Sequence, residues 1–402
     1  MTEGAALPLI LMTTGAIAMP AVARKLAIPV AVAEIVFGVL IGQSGFDIAG
    51  DPNNPFIKFL AELGFTFFLF LAGLEIDFRG FERKGVRTLL LPFLLSVAAF
   101  GLAIGAASLL GWGLWVGLAI GATAVPLLLA VVREARLGGT ELGNTMITFA
   151  AMGELLTIVA LSLVEITEHS HGLQDTAIGV GRMLLLCLAV VVVTGLLRTL
   201  LWWFPDNFTR LVAHDDPSEI GVRVGYFLMF VFVGLSMAAG VEPFLGAFVA
   251  GAMLSYVVRE ADALEHKVAS MAYGFFVPVF FIHVGLRLEI TPTFMWENLG
   301  AMLAVVTLMA AVKLIPGALL FLRGMKLREV TATSLLLAAP LTLVIAIMDL
   351  GVRAEAVTSA LSAKVITAGI LASLLFPSLA RKLLKQTPEV EKATAASSGG
   401  HH

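Results

Sequence analysis

Apolar runs of about twenty residues alternate with short clusters of charged, Gly, Pro and Asn residues from one end of the chain to the other. Each run is long enough to cross ~30 Å of hydrocarbon as an α-helix. The breaks define thirteen spans, at 5–23, 28–45, 57–76, 87–110, 113–133, 142–166, 176–204, 219–240, 242–258, 268–288, 294–322, 328–351 and 359–380. The spans at 28–45 and 242–258 are short, and taken alone each reads as a re-entrant segment. Both count as helices here because omitting either one destroys the charge alternation described next. The pattern predicts an all-α polytopic membrane protein with 13 transmembrane helices.

Lys and Arg accumulate on the cytoplasmic side of a bilayer. With thirteen spans, one side collects Arg24, Lys25, Arg79, Arg83, Lys84, Arg87, Arg133, Arg136, Arg198, Arg210, Arg259, Lys267, Arg323, Lys326, Arg328, Arg381, Lys382, Lys385 and Lys392. The other side collects only Lys58 and Arg353. The split sets the expected orientation: N-terminus outside, C-terminus cytoplasmic, in a bacterial inner membrane. Residues 1–390 are expected to form one membrane transport domain, and 391–402 a disordered tail resembling a cloning remnant, so His401 and His402 carry no functional weight. The start, with Glu3 and no basic stretch, does not read as a cleaved signal peptide.

Landmarks recur. Gly38 in span 2 matches Gly251 in span 9, Gly73 in span 3 matches Gly285 in span 10, and Pro126 in span 5 matches Pro340 in span 12. The separations are 213, 212 and 214 residues. Spans 1–6 and 8–13 therefore read as two copies joined by span 7. An odd number of crossings separates them, so the copies are inverted, the arrangement of many secondary transporters.

Composition narrows the classes further. Of 402 residues, 59% are hydrophobic and 14% charged, where a soluble protein carries about 25% charged residues. With a mean hydropathy of +0.96, this excludes a soluble enzyme, a nucleic-acid binder and a disordered chain. The net charge of −3 says little about partners, and one cysteine excludes disulfides and cysteine-rich metal sites. No nucleotide-binding loop or catalytic triad occurs. Neither enzymatic activity nor a cofactor is expected, nor any metal beyond a transported monovalent cation.

The chemistry lies in the polar residues that apolar helices should lack. Glu154 sits in the middle of span 6, twelve residues from either end. An ionised carboxylate at that depth costs ~2.5–3.5 kcal/mol even on lenient insertion scales. A buried acid escapes the cost by holding its proton, by pairing or by binding a cation, and alternating between proton and cation is the minimum needed for ion exchange. Pro126 and Pro340 each remove an amide donor and clash with the preceding turn, so both helices are expected to break near mid-membrane. Unwound backbone there can line an enclosed cavity and offer helix ends to ions. Thr123 and Thr342 add hydroxyls at the same level. Lys313 in span 11 lies about ten residues from the basic loop, roughly 15 Å at the helical rise and too far to snorkel. A carboxylate partner is expected for it, with Glu154 the first choice.

Four further residues are secondary candidates. Glu34 in span 2 reads equally as a cavity residue or as a packing hydrogen bond. His283 and Arg287 in span 10 are within reach of a site, although Arg287 is near enough to the outer surface for a structural role. Lys364 in span 13 falls near the pseudo-symmetric position of Glu154, but the better reading is a snorkel to the outer face.

Five segments then carry a resemblance. They are Ala-Glu-Ile-Val-Phe-Gly-Val-Leu-Ile-Gly-Gln-Ser-Gly in span 2, Leu-Ala-Gly-Leu-Glu-Ile-Asp ending span 3, Gly-Ala-Thr-Ala in span 5, Pro-Phe-Leu-Gly-Ala-Phe-Val-Ala-Gly in span 9, and Phe-Phe-Val-Pro-Val-Phe-Phe-Ile-His-Val-Gly in span 10. In this order the chain resembles the monovalent cation:proton antiporter superfamily, in its Kef-like branch, over the whole membrane region. The resemblance implies a homodimer, a dimerisation scaffold, and a six-helix core with two broken helices that cross, moving in an elevator-like manner. The family's ion-binding acid falls on Glu154, its neighbouring polar position on Gly153, and its span-11 lysine on Lys313. Gly153 departs from the family's usual Asp, Asn or Gln. A regulatory domain or subunit is common in that branch and has no counterpart in this chain.

These readings converge on exchange of Na⁺ or K⁺ for protons, with Glu154 as the exchanging carboxylate. Two alternatives stand beside it. An ion-coupled symporter of a small organic anion would call for a roomier, more polar cavity than the Ala- and Leu-rich flanks suggest. A non-transporting membrane sensor subunit would tolerate neutralisation of Glu154.

Overall fold

The structure, a computed structural model, describes residues 6–26, 28–75, 86–135, 137, 140–168, 173–203, 219–240, 242–257, 261–288 and 292–384. The 391–402 tail and most of the basic 79–87 loop lie outside the described residues. Those described are helical, with no strand among them.

In chain order the helices are α1 (Ala6–Leu26), α2 (Val30–Ile41), α3 (Pro55–Leu74), α4 (Val86–Leu109), α5 (Gly113–Gly121), α6 (Val125–Glu134), α7 (Glu141–Glu168) and α8 (Leu173–Trp203). Then come α9 (Ile220–Ala238), α10 (Pro243–Val257), α11 (Ala261–Met271), α12 (Val277–Arg287), α13 (Pro292–Gly317), α14 (Leu327–Leu337), α15 (Leu341–Arg353) and α16 (Ser359–Leu384). A π-helical turn, Ala272–Phe276, joins α11 to α12, and a 3₁₀ stretch, Ala318–Arg323, extends α13. Each sequence span has a helical counterpart. Among the described residues, eleven segments are long and apolar enough to cross a membrane. The other two, α2 and α10, have 12 and 15 residues, or about 18 and 22 Å at the helical rise. The protein is an integral membrane protein.

Both expected interruptions are present. α5 stops at Gly121 and α6 starts at Val125, one residue before Pro126. α14 stops at Leu337 and α15 starts at Leu341, directly after Pro340. A proline in the first helical turn breaks no amide bond. Pro126 and Pro340 each stand at the start of a new helix, whereas Pro20, Pro92, Pro316 and Pro377 lie inside α1, α4, α13 and α16.

The chain divides into two compact units. The first comprises Met1–Arg83 and Ser162–Leu288, the second Lys84–Leu161 and Glu289–His402. Each takes helices from both halves of the sequence. In the second, α5 packs on α4 and α15, while α13, α14 and α15 all pack on α16.

Within the first unit, the glycine landmarks make two matching contacts. Gly38 of α2 lies against the Ile282 carbonyl of α12, and Gly285 lies against that of Ile35. Gly73 of α3 lies against the Phe248 carbonyl of α10, and Gly251 lies against that of Phe70. In all four cases the carbonyl belongs to the residue three before the opposing glycine. Exchanging Gly38 with Gly251 and Gly73 with Gly285 turns one contact into the other, as two copies of one ancestral unit require. Backbones this close leave no room for a Cβ, the small-residue packing known from membrane helices.

Gly73→Ala and Gly251→Ala are therefore expected to destabilise the protein by about 1–3 kcal/mol each through overpacking. Gly101→Ala, on a helix face with no atom within 4 Å of the added methyl, is the control and is expected to be neutral or stabilising. Thermal unfolding of the three variants in detergent checks the difference.

Candidate ion-binding site at the first helix break

Four buried side chains of the second unit converge on residues 121–125. The break begins where Ala122 turns out of the helix with φ −59° and ψ 158°. Its flanks carry opposite partial charges: the last carbonyls of α5 and the first amides of α6 have no partner inside their own helices.

Each helix end is met by a charge of the complementary sign. Glu154 of α7 is 0% exposed, and its Oε2 accepts a hydrogen bond from the Val125 amide at 3.1 Å, at the N-terminus of α6. Lys313 of α13 is 1% exposed, and its Nζ donates to the Gly121 carbonyl at 2.5 Å, at the C-terminus of α5. The same Nζ donates to Thr123 Oγ1 at 2.7 Å and lies 5.7 Å from the centre of the Phe100 ring. Buried lysine is costly unless its donors are matched; two oxygens and an aromatic face supply that here. The expected Lys313 carboxylate partner is thus replaced by oxygens of the break itself, because a helix C-terminus already offers free carbonyls.

Thr123 is the hub. Its amide donates to Thr157 Oγ1 at 3.2 Å, and that hydroxyl donates in turn to the Gly153 carbonyl at 2.7 Å. A Cβ at Gly153 would stand 2.8 Å from Thr123 Cβ and 2.9 Å from its Oγ1, so the break approaches α7 this closely only because residue 153 has no side chain. Glu154, Thr123, Gly153 and Lys313 are brought together as a group.

The other candidates fall elsewhere. Thr342 is half-buried in the first turn of α15 and is not part of the hydrogen-bonded group at the first break. Lys364 is half-buried near the start of α16. Glu34, His283 and Arg287 belong to the first unit. There Glu34 is buried, Arg287 is exposed, and the His283 Nε2 donates to the Pro52 carbonyl at 2.9 Å, tying α12 to the turn before α3.

Sequence reasoning passed over Thr157, Phe100 and the backbone groups of Gly121 and Val125. Thr157 left a usable signal, since three residues after Glu154 it shares that residue's face of α7. The backbone groups left none. Thr157→Val keeps the shape of the side chain but strands the Thr123 amide in a buried site, and is expected to cost about 1–3 kcal/mol. Thermal unfolding beside Thr157→Ser, which retains the oxygen, measures it.

The family described as "Sodium/hydrogen exchanger, transmembrane" matches residues 10–386. The Bacillus subtilis (strain 168) protein named "Putative Na(+)/H(+) antiporter YjbQ" is 28% identical over 92% of this chain, which spans 61% of that protein's length. The K(+)/H(+) antiporter 1 of Saccharomyces cerevisiae is 24% identical over 81% of this chain and 40% of its own length. In fold, the chain is similar to the sodium proton antiporter MjNhaP1 from Methanocaldococcus jannaschii, with a TM-score of 0.62 at 17% identity, covering 94% of this chain and 98% of that one. With most of its length matched, and with a buried acid at an interrupted helix, the chain belongs to the sodium/hydrogen exchanger family.

Proposed function

We propose that this chain is a secondary active antiporter that exchanges Na⁺ or K⁺ for protons, with Glu154 carrying the proton and the cation alternately. The observation that carries the reading is the position of Glu154: fully buried, with one carboxylate oxygen on the free Val125 amide at the start of α6. A carboxylate held by a helix N-terminus is stabilised as an anion, yet its depth makes a lone anion costly. Proton and monovalent cation are the two species that relieve that cost. Carbonyls of the break and the Thr123 hydroxyl are hard oxygen ligands of the kind such cations take.

In this reading Lys313 is a fixed counter-charge. It holds its proton throughout, anchored on Gly121 and Thr123, and Glu154 is the one group that changes charge. The unit containing Glu154 then moves in an elevator-like manner against the other, which would hold a homodimer. The Lys and Arg asymmetry supports an external N-terminus and a cytoplasmic C-terminus. The names of the relatives support cation/proton exchange over organic-anion symport.

Two measurements test it. Glu154→Gln keeps the shape but cannot trade a proton for an ion, so it should abolish exchange in proteoliposomes while the unfolding temperature stays near that of the parent. Exchange at the parent rate by a folded Glu154→Gln sample refutes the mechanism, and a parent protein that exchanges no cation favours the sensor reading. One carboxylate per cycle also implies one proton for one cation. An imposed membrane potential without ion gradients should then drive no coupled proton movement, and movement under voltage alone would make Lys313 a second proton carrier.

A further inference from the structure

We infer that Gly153 and Thr123 together hold the Lys313 ammonium off Glu154, so that the absence of a side chain at 153 positions the lysine and keeps it from competing with the transported cation. For its transport readout the inference rests on the exchange reading above; its geometry stands independently.

The geometry is a chain of close approaches. Thr123 Oγ1 accepts from Lys313 Nζ at 2.7 Å, and its backbone amide is fixed on Thr157 at 3.2 Å. Gly153, whose carbonyl takes the Thr157 hydroxyl at 2.7 Å, is the point of α7 against which the Thr123 side chain lies. An added methyl at 153 would meet Thr123 Cβ, Oγ1 and Cγ2 at 2.8, 2.9 and 3.0 Å. All three are tighter than ordinary contact, and none belongs to the free end of a flexible side chain, so Thr123 must move. What it carries with it is half of the Lys313 anchor.

An ammonium released from the Thr123 hydroxyl is a buried cation with a donor to place. A group of opposite charge at the same break is Glu154, whose Oε2 accepts from the amide of Val125, two residues beyond Thr123. An ion pair forming there would occupy the carboxylate that the transported cation needs. If Lys313 held Glu154 for nine-tenths of the time, the apparent cation affinity would fall about tenfold with little change in maximal rate. Gly153 is then a positioning residue for Lys313, and its lack of a second carboxylate is the condition under which the threonine can act.

Two arms test the inference. The first reads thermal unfolding and requires no transport. Glu154→Gln alone should shift the unfolding temperature little. Combined with Thr123→Val, which deletes the hydroxyl but keeps the shape, it should cost about 3 °C or more beyond additivity, because the amide removes the new lysine partner. Gly153→Ala should show the same coupling to Glu154→Gln, and should be tolerated better when Thr123→Gly supplies the missing space. The second arm reads exchange kinetics. Gly153→Ala should raise the cation KM about tenfold at a similar maximal rate. Strict additivity in the first arm, or an unchanged KM in folded Gly153→Ala, overturns the inference. A parent protein that moves no cation refutes the exchange reading alone, because the unfolding cycles still decide where Lys313 lies.

Discussion

Two helix ends facing each other inside a membrane are the constraint around which the second unit is organised. The carbonyl end of α5 and the amide end of α6 each leave polar groups that lipid cannot satisfy. Lys313 answers the first and Glu154 the second, with hydrogen bonds of 2.5 Å and 3.1 Å. Acid and base are therefore placed by the backbone, and their roles follow from which end each meets. Interchanging the two would set like against like at both ends. The break also accounts for the burial of both charges, since each meets a helix end that has polar groups to offer.

The elements of the fold were legible because hydrophobic run length is a strong signal in a bilayer. Segment by segment, the predicted spans correspond to helices or to interrupted helices, the short ones at α2 and α10 included. The breaks were legible from the matched placement of Pro126 and Pro340 in the two copies. A proline alone does not end a helix here: Pro20, Pro92, Pro316 and Pro377 lie inside continuous ones. The repeat was legible only as spacing. The physical content of that spacing, a glycine set against a carbonyl three residues before its counterpart, needed the paired helices to be seen together.

At the site, legibility followed side-chain rarity. Glu154 and Lys313 stand out in any apolar helix, and both lie at the break. Lys313 was assigned the wrong kind of partner because side-chain reasoning looks for a carboxylate, while the acceptors present are a main-chain carbonyl and a threonine hydroxyl. Thr157 was overlooked for the opposite reason. Threonines are common in membrane helices, where most return their hydroxyl to the carbonyl four residues back, as Thr157 does with Gly153. Its second bond, accepted from Thr123, is invisible until the break is folded onto α7.

Glycine acts differently in the two units, and the difference bears on what each can do. At Gly38, Gly73, Gly251 and Gly285 the space left by the missing side chain is filled by carbonyls of continuous helices, whose hydrogen bonds are already made. Such contacts gain only packing and weak polar attraction, and they favour one arrangement. At Gly153 the space is filled by a residue of unwound backbone, whose amide and hydroxyl are each committed to a single side chain. The bonds there are few and individually replaceable, so an ion offering equivalent charge can substitute for one of them without unmaking a helix. A rigid framework and an exchangeable site thus come from the same residue type, and what separates them is whether the facing backbone had hydrogen-bonding groups left to give.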